Sequence, residues 1–227
     1  MPRARSIKPY WQTAATPQEQ GSGCLSGFVL PPLAVVLFSA VFAFFVLKQP
    51  LTSSVELPPA ATKNISPIFR IEIHYWADSI SKWAAASQLD PNLVATIMQI
   101  ESCGDPRVKS SAGAMGLFQV MPFHFYATDD PYNPNINAAR GLAYLARSFD
   151  TADGNVRLAL AGYNGGIGLI ARAEWSWPAQ TKRYIQYGVP IYEDSLRGLD
   201  SSSALNEWYE KYGVSLCQQA HQRLGLP

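Results

Sequence analysis

From Leu25 to Leu47 the chain runs 23 residues without a charged side chain. No other stretch so narrows the architectures open to it, because a membrane-spanning helix needs about 20 apolar residues. Within the run, LAVVLFSAVFAFFVL (residues 33–47) is apolar on every helical face. Such a helix needs lipid or a large core around it. Pro31 and Pro32 sit near its start, where missing backbone donors do least harm. A cleaved leader is the main alternative. Against it, about two dozen mostly polar residues come first and no small-x-small cleavage site follows. The expectation is a retained anchor over residues 25–47. Arg3, Arg5 and Lys8 precede it and Lys48 alone lies just after it. Positive charge favours the cytoplasmic side, so residues 1–24 are expected inside and the rest outside.

Residues 48–67, rich in Pro, Ser and Thr, read as an extended tether. A folded domain is expected from residue 68 to 195, followed by a helical extension over 196–227. Cys24 precedes the apolar run, so it is not a lipoprotein acceptor. Cys103 and Cys217 both fall on the outer side, where disulfides persist. They are expected to pair; the alternative is two inert thiols. The net charge of +1 gives no argument for nucleic acid.

Past residue 68 the apolar period is helical. Trp76, Ile80, Trp83 and Ala84 recur at steps of three and four. Asp90 and Pro91 form a strong helix start. Leu93, Val94, Ile97, Met98 and Ile100 mark the next apolar side, from which Glu101 points. Gly104 and Pro106 are expected to stop this helix. A loop with Gly113 and Gly116 follows. Further helices are expected with Leu142, Leu145, Ala146 and Phe149 on one face, then Val156, Ala159, Leu160 and Tyr163, then from Pro178 through TKRYIQYGV. A last helix is expected near Ala204–Leu224. Convincing alternating strands are absent, so the fold class is mostly α.

The segment ESCGDPRVKSSAGAMGLFQVMP, residues 101–122, resembles the first signature of the soluble lytic transglycosylase family. NPNINAARGLAYL, AGYNGG and TKRYIQYGV are similar to its later motifs and come in the family's order. The resemblance covers roughly residues 75–192. It implies a lysozyme-like catalytic domain that cleaves the β-1,4 bond between N-acetylmuramic acid and N-acetylglucosamine in peptidoglycan. It implies Glu101 as the catalytic residue, first acid and then base. It places Ser110, Met115, Phe118, Gln119, Tyr163, Asn164 and Tyr184 with the substrate. Two departures stand out. Gln180 replaces a common Glu, which puts the local polarity of the site in doubt. Gly165 replaces a common Ala and is expected to be tolerated.

The physical reading agrees. A carboxylic acid can protonate a leaving oxygen near neutral pH only if its surroundings hold the proton on, and apolar burial does that. Most glycosidases add a second carboxylate. The lytic route dispenses with it, because the muramic C6 hydroxyl on the same sugar is the nucleophile. A hydrolase using water stays open, with Asp105, Asp129 or Asp130 as activators, as does a non-catalytic wall-binding scaffold. A cysteine peptidase built on Cys103, His124 and Asn164 lacks the expected surroundings. His74, His124 and His221 have no metal-ligand spacing and read as surface or packing residues. No cofactor or metal is expected. The expected partners are glycan strands and, through the anchor, the membrane.

Overall fold

The computed structural model describes residues 65–227. The segments expected as cytoplasmic (1–24), as anchor (25–47) and as most of the tether (48–64) lie outside the described residues. Packing begins inside the stretch read as tether, since Ile65 and Ser66 are both buried. The backbone N–H of Ser66 donates to Asn92 Oδ1 at 2.7 Å, which fixes the entering chain.

Among the described residues the fold is mostly helical and has no strand. The helices are α1 (Ile71–His74), α2 (Ala77–Ser87), α3 (Pro91–Ser102), α4 (Pro134–Thr151), α5 (Val156–Gly165), α6 (Ala179–Leu196), α7 (Ser203–Trp208) and α8 (Val214–Leu224). None is long and apolar enough to cross a membrane.

Helix α3 starts where Asp90 and Pro91 predict. The Asp90 carboxylate accepts from the N–H groups of Asn92 and Leu93 at 2.8 and 3.1 Å. The helix is not amphipathic as expected but wrapped on nearly every side. Leu93, Val94, Ile97 and Met98 are at most 2 % exposed, and Thr96, Gln99 and Ser102 are fully buried with them. Each large aliphatic side chain so buried contributes about 1.5–3 kcal/mol. The polar ones hold neighbouring segments. Ser102 Oγ donates to the Leu117 carbonyl at 2.7 Å, and Gln99 Oε1 accepts from the Arg70 N–H at 3.3 Å. The helix stops one residue before the expected glycine. Cys103 itself takes the left-handed conformation, φ 49°, and Gly104 follows at φ 83°. Even a Cβ on Gly104 would lie 2.8 Å from the Glu72 carbonyl oxygen.

Helices α4, α5 and α6 pack in succession against this core. Gly141 lets α4 approach closely, because a Cβ there would sit 2.7 Å from that of Phe118. Helix α6 runs past Val189 and through Pro190 to Leu196. Ile191 and Ser195, both buried, keep it on the core beyond the proline.

The single helix expected near 204–224 is broken. A π turn over Tyr209–Gly213 separates α7 from α8. A Cβ on Gly213 would lie 2.7 Å from the Trp208 ring, so only glycine lets this turn close over the indole. Helix α8 is fastened by a Cys103–Cys217 disulfide, with Cα atoms 5.0 Å apart. Two buried carboxylates also find their partners on α8. Asp105, fully buried, accepts from Arg223 Nη1 at 3.1 Å and Gln219 Nε2 at 2.7 Å. Glu72 lies 3.1 Å from His221 Nδ1.

The disulfide closes a loop of 114 residues, which restricts the unfolded chain more than a short loop would. Cys217→Ser is expected to cost about 2–4 kcal/mol and lower Tm by roughly 5–15 °C in a thermal melt. Intact mass after alkylation under denaturing, non-reducing conditions should show only Cys24 labelled.

Candidate active site

Four segments meet around the carboxyl of Glu101. Helix α3 delivers it in its last turn. The loop after α3 folds back through isolated bridges that link Lys109 with Met115 and Met115 with Val120. Helix α4 contributes Tyr144, and the end of α5 brings Tyr163 and Asn164. The start of α6 adds Gln180 and Tyr184. Apart from Tyr184, which borders a smaller adjoining cavity, they line a cleft of about 390 Å³, with Glu101, Ser110, Gln119, Tyr163 and Asn164 among its lining residues.

Each polar group has a support. Ser110 Oγ accepts from the Ala114 N–H at 3.0 Å, which closes the loop rather than binding Glu101. The Gln119 amide donates to the carbonyls of Gly116 and Val108 at 3.0 and 3.3 Å. Tyr163 Oη donates to the Phe118 carbonyl at 2.7 Å. Thr181 Oγ1 donates to Asn164 Oδ1 at 3.1 Å and so orients the amide. That contact explains Gly165. A Cβ there would fall 2.6 Å from Thr181 Oγ1 and closer still to a Leu169 methyl, so the glycine is accommodated as expected and an alanine would need those side chains to shift.

Not every residue nominated from sequence reaches the cleft. Phe118 is fully buried beneath its floor, edge-on to Trp83 at 6.1 Å between ring centroids. It serves the cleft through its carbonyl. Met115 lines neither this cleft nor the smaller cavity adjoining it. Its carbonyl accepts from the Asn137 amide at 2.7 Å and holds the loop in shape. Two residues were missed. Tyr144 lies in the quoted NPNINAARGLAYL motif but was not singled out, and it lines the cleft. His124, which reads as a surface or packing residue in the sequence, lies 4.6 Å from Tyr144 between ring centroids on the same wall.

The electrostatics centre on Glu101. Part of the residue borders the cleft, but its carboxyl is packed among side chains. Burial pushes its pKa from 4.5 up to about 8, opposed in smaller measure by the Tyr184 phenol. That phenol lies outside strict hydrogen-bond geometry and has no other partner. Burial and the Glu101 charge both raise the Tyr163 and Tyr184 phenols well above their ordinary range, so both stay protonated donors. His124 is shifted down by burial and by Arg147, which keeps it neutral.

The acids weighed as water activators are elsewhere. Asp105 is sealed against α8. Asp129 is bound by both Nε and Nη2 of Arg140, at 2.7 and 3.1 Å. Asp130 is exposed and accepts from the Tyr132 N–H. Glu101 is the sole carboxylate lining this cleft or the smaller cavity adjoining it, among the described residues.

Residues 78–186 match the family model described as transglycosylase SLT domain. A protein of Enterobacteria phage PRD1 named transglycosylase is 39 % identical over 111 residues, covering 48 % of this chain and 40 % of the relative. A Klebsiella pneumoniae protein named endo-type membrane-bound lytic murein transglycosylase A is 34 % identical over 84 residues, covering 31 % of this chain and 41 % of the relative. The chain thus spans about two fifths of the length of these curated relatives.

A raised carboxyl pKa carries a stability cost with a definite sign. Between pH 4.5 and about 8 the folded state holds a proton that the unfolded state releases, so this group's contribution falls as pH rises. Glu101→Gln removes the effect. The variant is expected to match the wild type near pH 4 and to exceed it by on the order of 2–4 kcal/mol at pH 8. Denaturant melts across that range check it.

Proposed function

We propose that the protein, whose residues 78–186 match the transglycosylase SLT domain model, is a lytic transglycosylase with a lysozyme-like catalytic domain, cutting the β-1,4 bond between N-acetylmuramic acid and N-acetylglucosamine. We read residues 25–47 as its membrane anchor, with the catalytic domain outside the cytoplasm.

The observation that carries this reading is the lone acid. Glu101 has no carboxylate partner in the cleft and holds its proton near neutral pH. In the proposed reaction its carboxyl proton passes to the leaving glycosidic oxygen as the C1–O bond breaks. Positive charge develops at C1 of the muramic residue. The C6 hydroxyl of that same residue then attacks C1, and Glu101, now a carboxylate, takes the hydroxyl proton. Atoms and charge balance without water, and the product ends in a 1,6-anhydro sugar. The nucleophile is already tethered to its electrophile, which replaces the activation a second carboxylate would supply. Tyr184, which stays protonated beside Glu101, offers a hydrogen bond to the transient carboxylate. The neutral His124 and Tyr144 form an apolar wall against which a pyranose face can lie. A water-using hydrolase finds no second carboxylate along the cleft. A binding scaffold has no use for a costly buried acid.

Mass spectrometry of digested cell wall separates the routes. Products lighter by one water than the hydrolysis products are expected; ordinary reducing ends would contradict the reading. Glu101→Gln should lower turnover by about 10²–10⁴-fold. In the wild type, kcat/KM should fall as pH rises through about 8, where the acid loses its proton.

A further inference from the structure

Beyond Glu101 the cleft opens into a second cavity of about 230 Å³, which shares Glu101, Asn164 and Gln180 with the first. Its far wall is Arg183, Tyr187, Trp208 and Tyr212. Trp208 and Tyr212 belong to the C-terminal extension, at the end of α7 and in the π turn. The extension therefore does more than cover the domain's flank: it builds one side of the cavity. The disulfide and the contacts of α8 with the buried carboxylates Asp105 and Glu72 fix it in place.

The chemistry of this wall is specific. Tyr187 and Tyr212 meet edge-on at 5.7 Å, with Tyr187 buried and Tyr212 exposed. Arg183 lies over the Tyr212 ring at 5.5 Å and makes no ion pair among the described residues. It is the one cation on the cavity wall, and the one acid there is Glu101, which is neutral near pH 7. An exposed cation over an aromatic ring, with no ion pair among the described residues, suits a carboxylate. Tyr184 also borders this cavity.

We propose that this second cavity is a subsite for the peptide-bearing part of the substrate, in which the C-terminal extension's rings pack on the sugar and Arg183 binds a carboxylate of the stem peptide. The inference rests on the reading of the protein as a peptidoglycan-cleaving enzyme. It adds a selectivity that the catalytic chemistry does not require: strands with stems are preferred over strands stripped of them. The exposed position of Arg183 makes that preference weaken as ionic strength rises.

The test measures kcat/KM of the full chain on glycan strands that keep their stems and on the same strands stripped by an amidase. A charge-assisted hydrogen bond is worth roughly tenfold or more in affinity. In Arg183→Gln the ratio of stemmed to stripped turnover should fall about tenfold, chiefly through KM. Arg183→Lys should restore part of it. Tyr212→Ala, at a half-exposed position, should lower the same ratio without loss of Tm. A ratio that stays within twofold of wild type in Arg183→Gln, whether both rates drop or neither does, overturns the subsite. If the wild type turns over neither substrate, the proposed function fails and this inference with it. That outcome is distinct from an active wild type whose ratio the variants leave unmoved.

Discussion

A carboxyl group at the end of a helix that is itself buried on nearly every side is the constraint around which the rest is arranged. Helix α3 has no solvent face to spare, so its last turn places Glu101 among packed side chains while one edge still borders the cleft. Burial disfavours the charged form, and the effect outweighs the contribution of the nearby Tyr184 phenol. The residues around the acid then fall into two groups. Some give it an apolar enclosure. Others, such as Ser110, Gln119 and Thr181, spend their polar atoms on bracing loops and amides rather than on the acid itself. The cleft keeps its shape because those hydrogen bonds are internal.

The C-terminal segment is best understood through the charges it neutralises. Asp105 and Glu72 are buried close to the base of α3, and a buried carboxylate without a partner is strongly destabilising. Arg223, Gln219 and His221 supply the partners from α8, and the Cys103–Cys217 disulfide ties the same helix to the residue that ends α3. The extension is thus coupled to the helix that carries the acid. The same coupling sets Trp208 and Tyr212 beside the cleft.

Much of this was legible in the sequence where the signal was local. Asp90 and Pro91 announce the start of α3, Glu101 stands at its end, and Cys103 pairs with Cys217. Features that depend on distant partners were not legible. Phe118 looks like a cleft wall in its motif, yet Trp83 and Gly141 draw it into the core. That Gly165 would be tolerated was expected; that the Leu169 and Thr181 side chains crowd the space above it was not legible. Helix α3 reads as amphipathic because its polar residues are visible in sequence and their buried hydrogen bonds are not. The π turn at Tyr209–Gly213 interrupts a helical period that is continuous on paper, and only the close approach of Gly213 to Trp208 explains it. His124 and Tyr144 join one wall from elements about twenty residues apart, a proximity that no spacing rule signals.

The central claim concerns a proton, and it can be observed without substrate. With carbon-13 label in the glutamate side chains, the Glu101 carboxyl resonance can be assigned by its loss in Glu101→Gln and followed against pH. A midpoint near 8, about three units above an ordinary glutamate, is the expected result. A midpoint near 4.5 would mean that the acid is charged at neutral pH, and it would contradict both the burial of its carboxyl and its proposed role as proton donor.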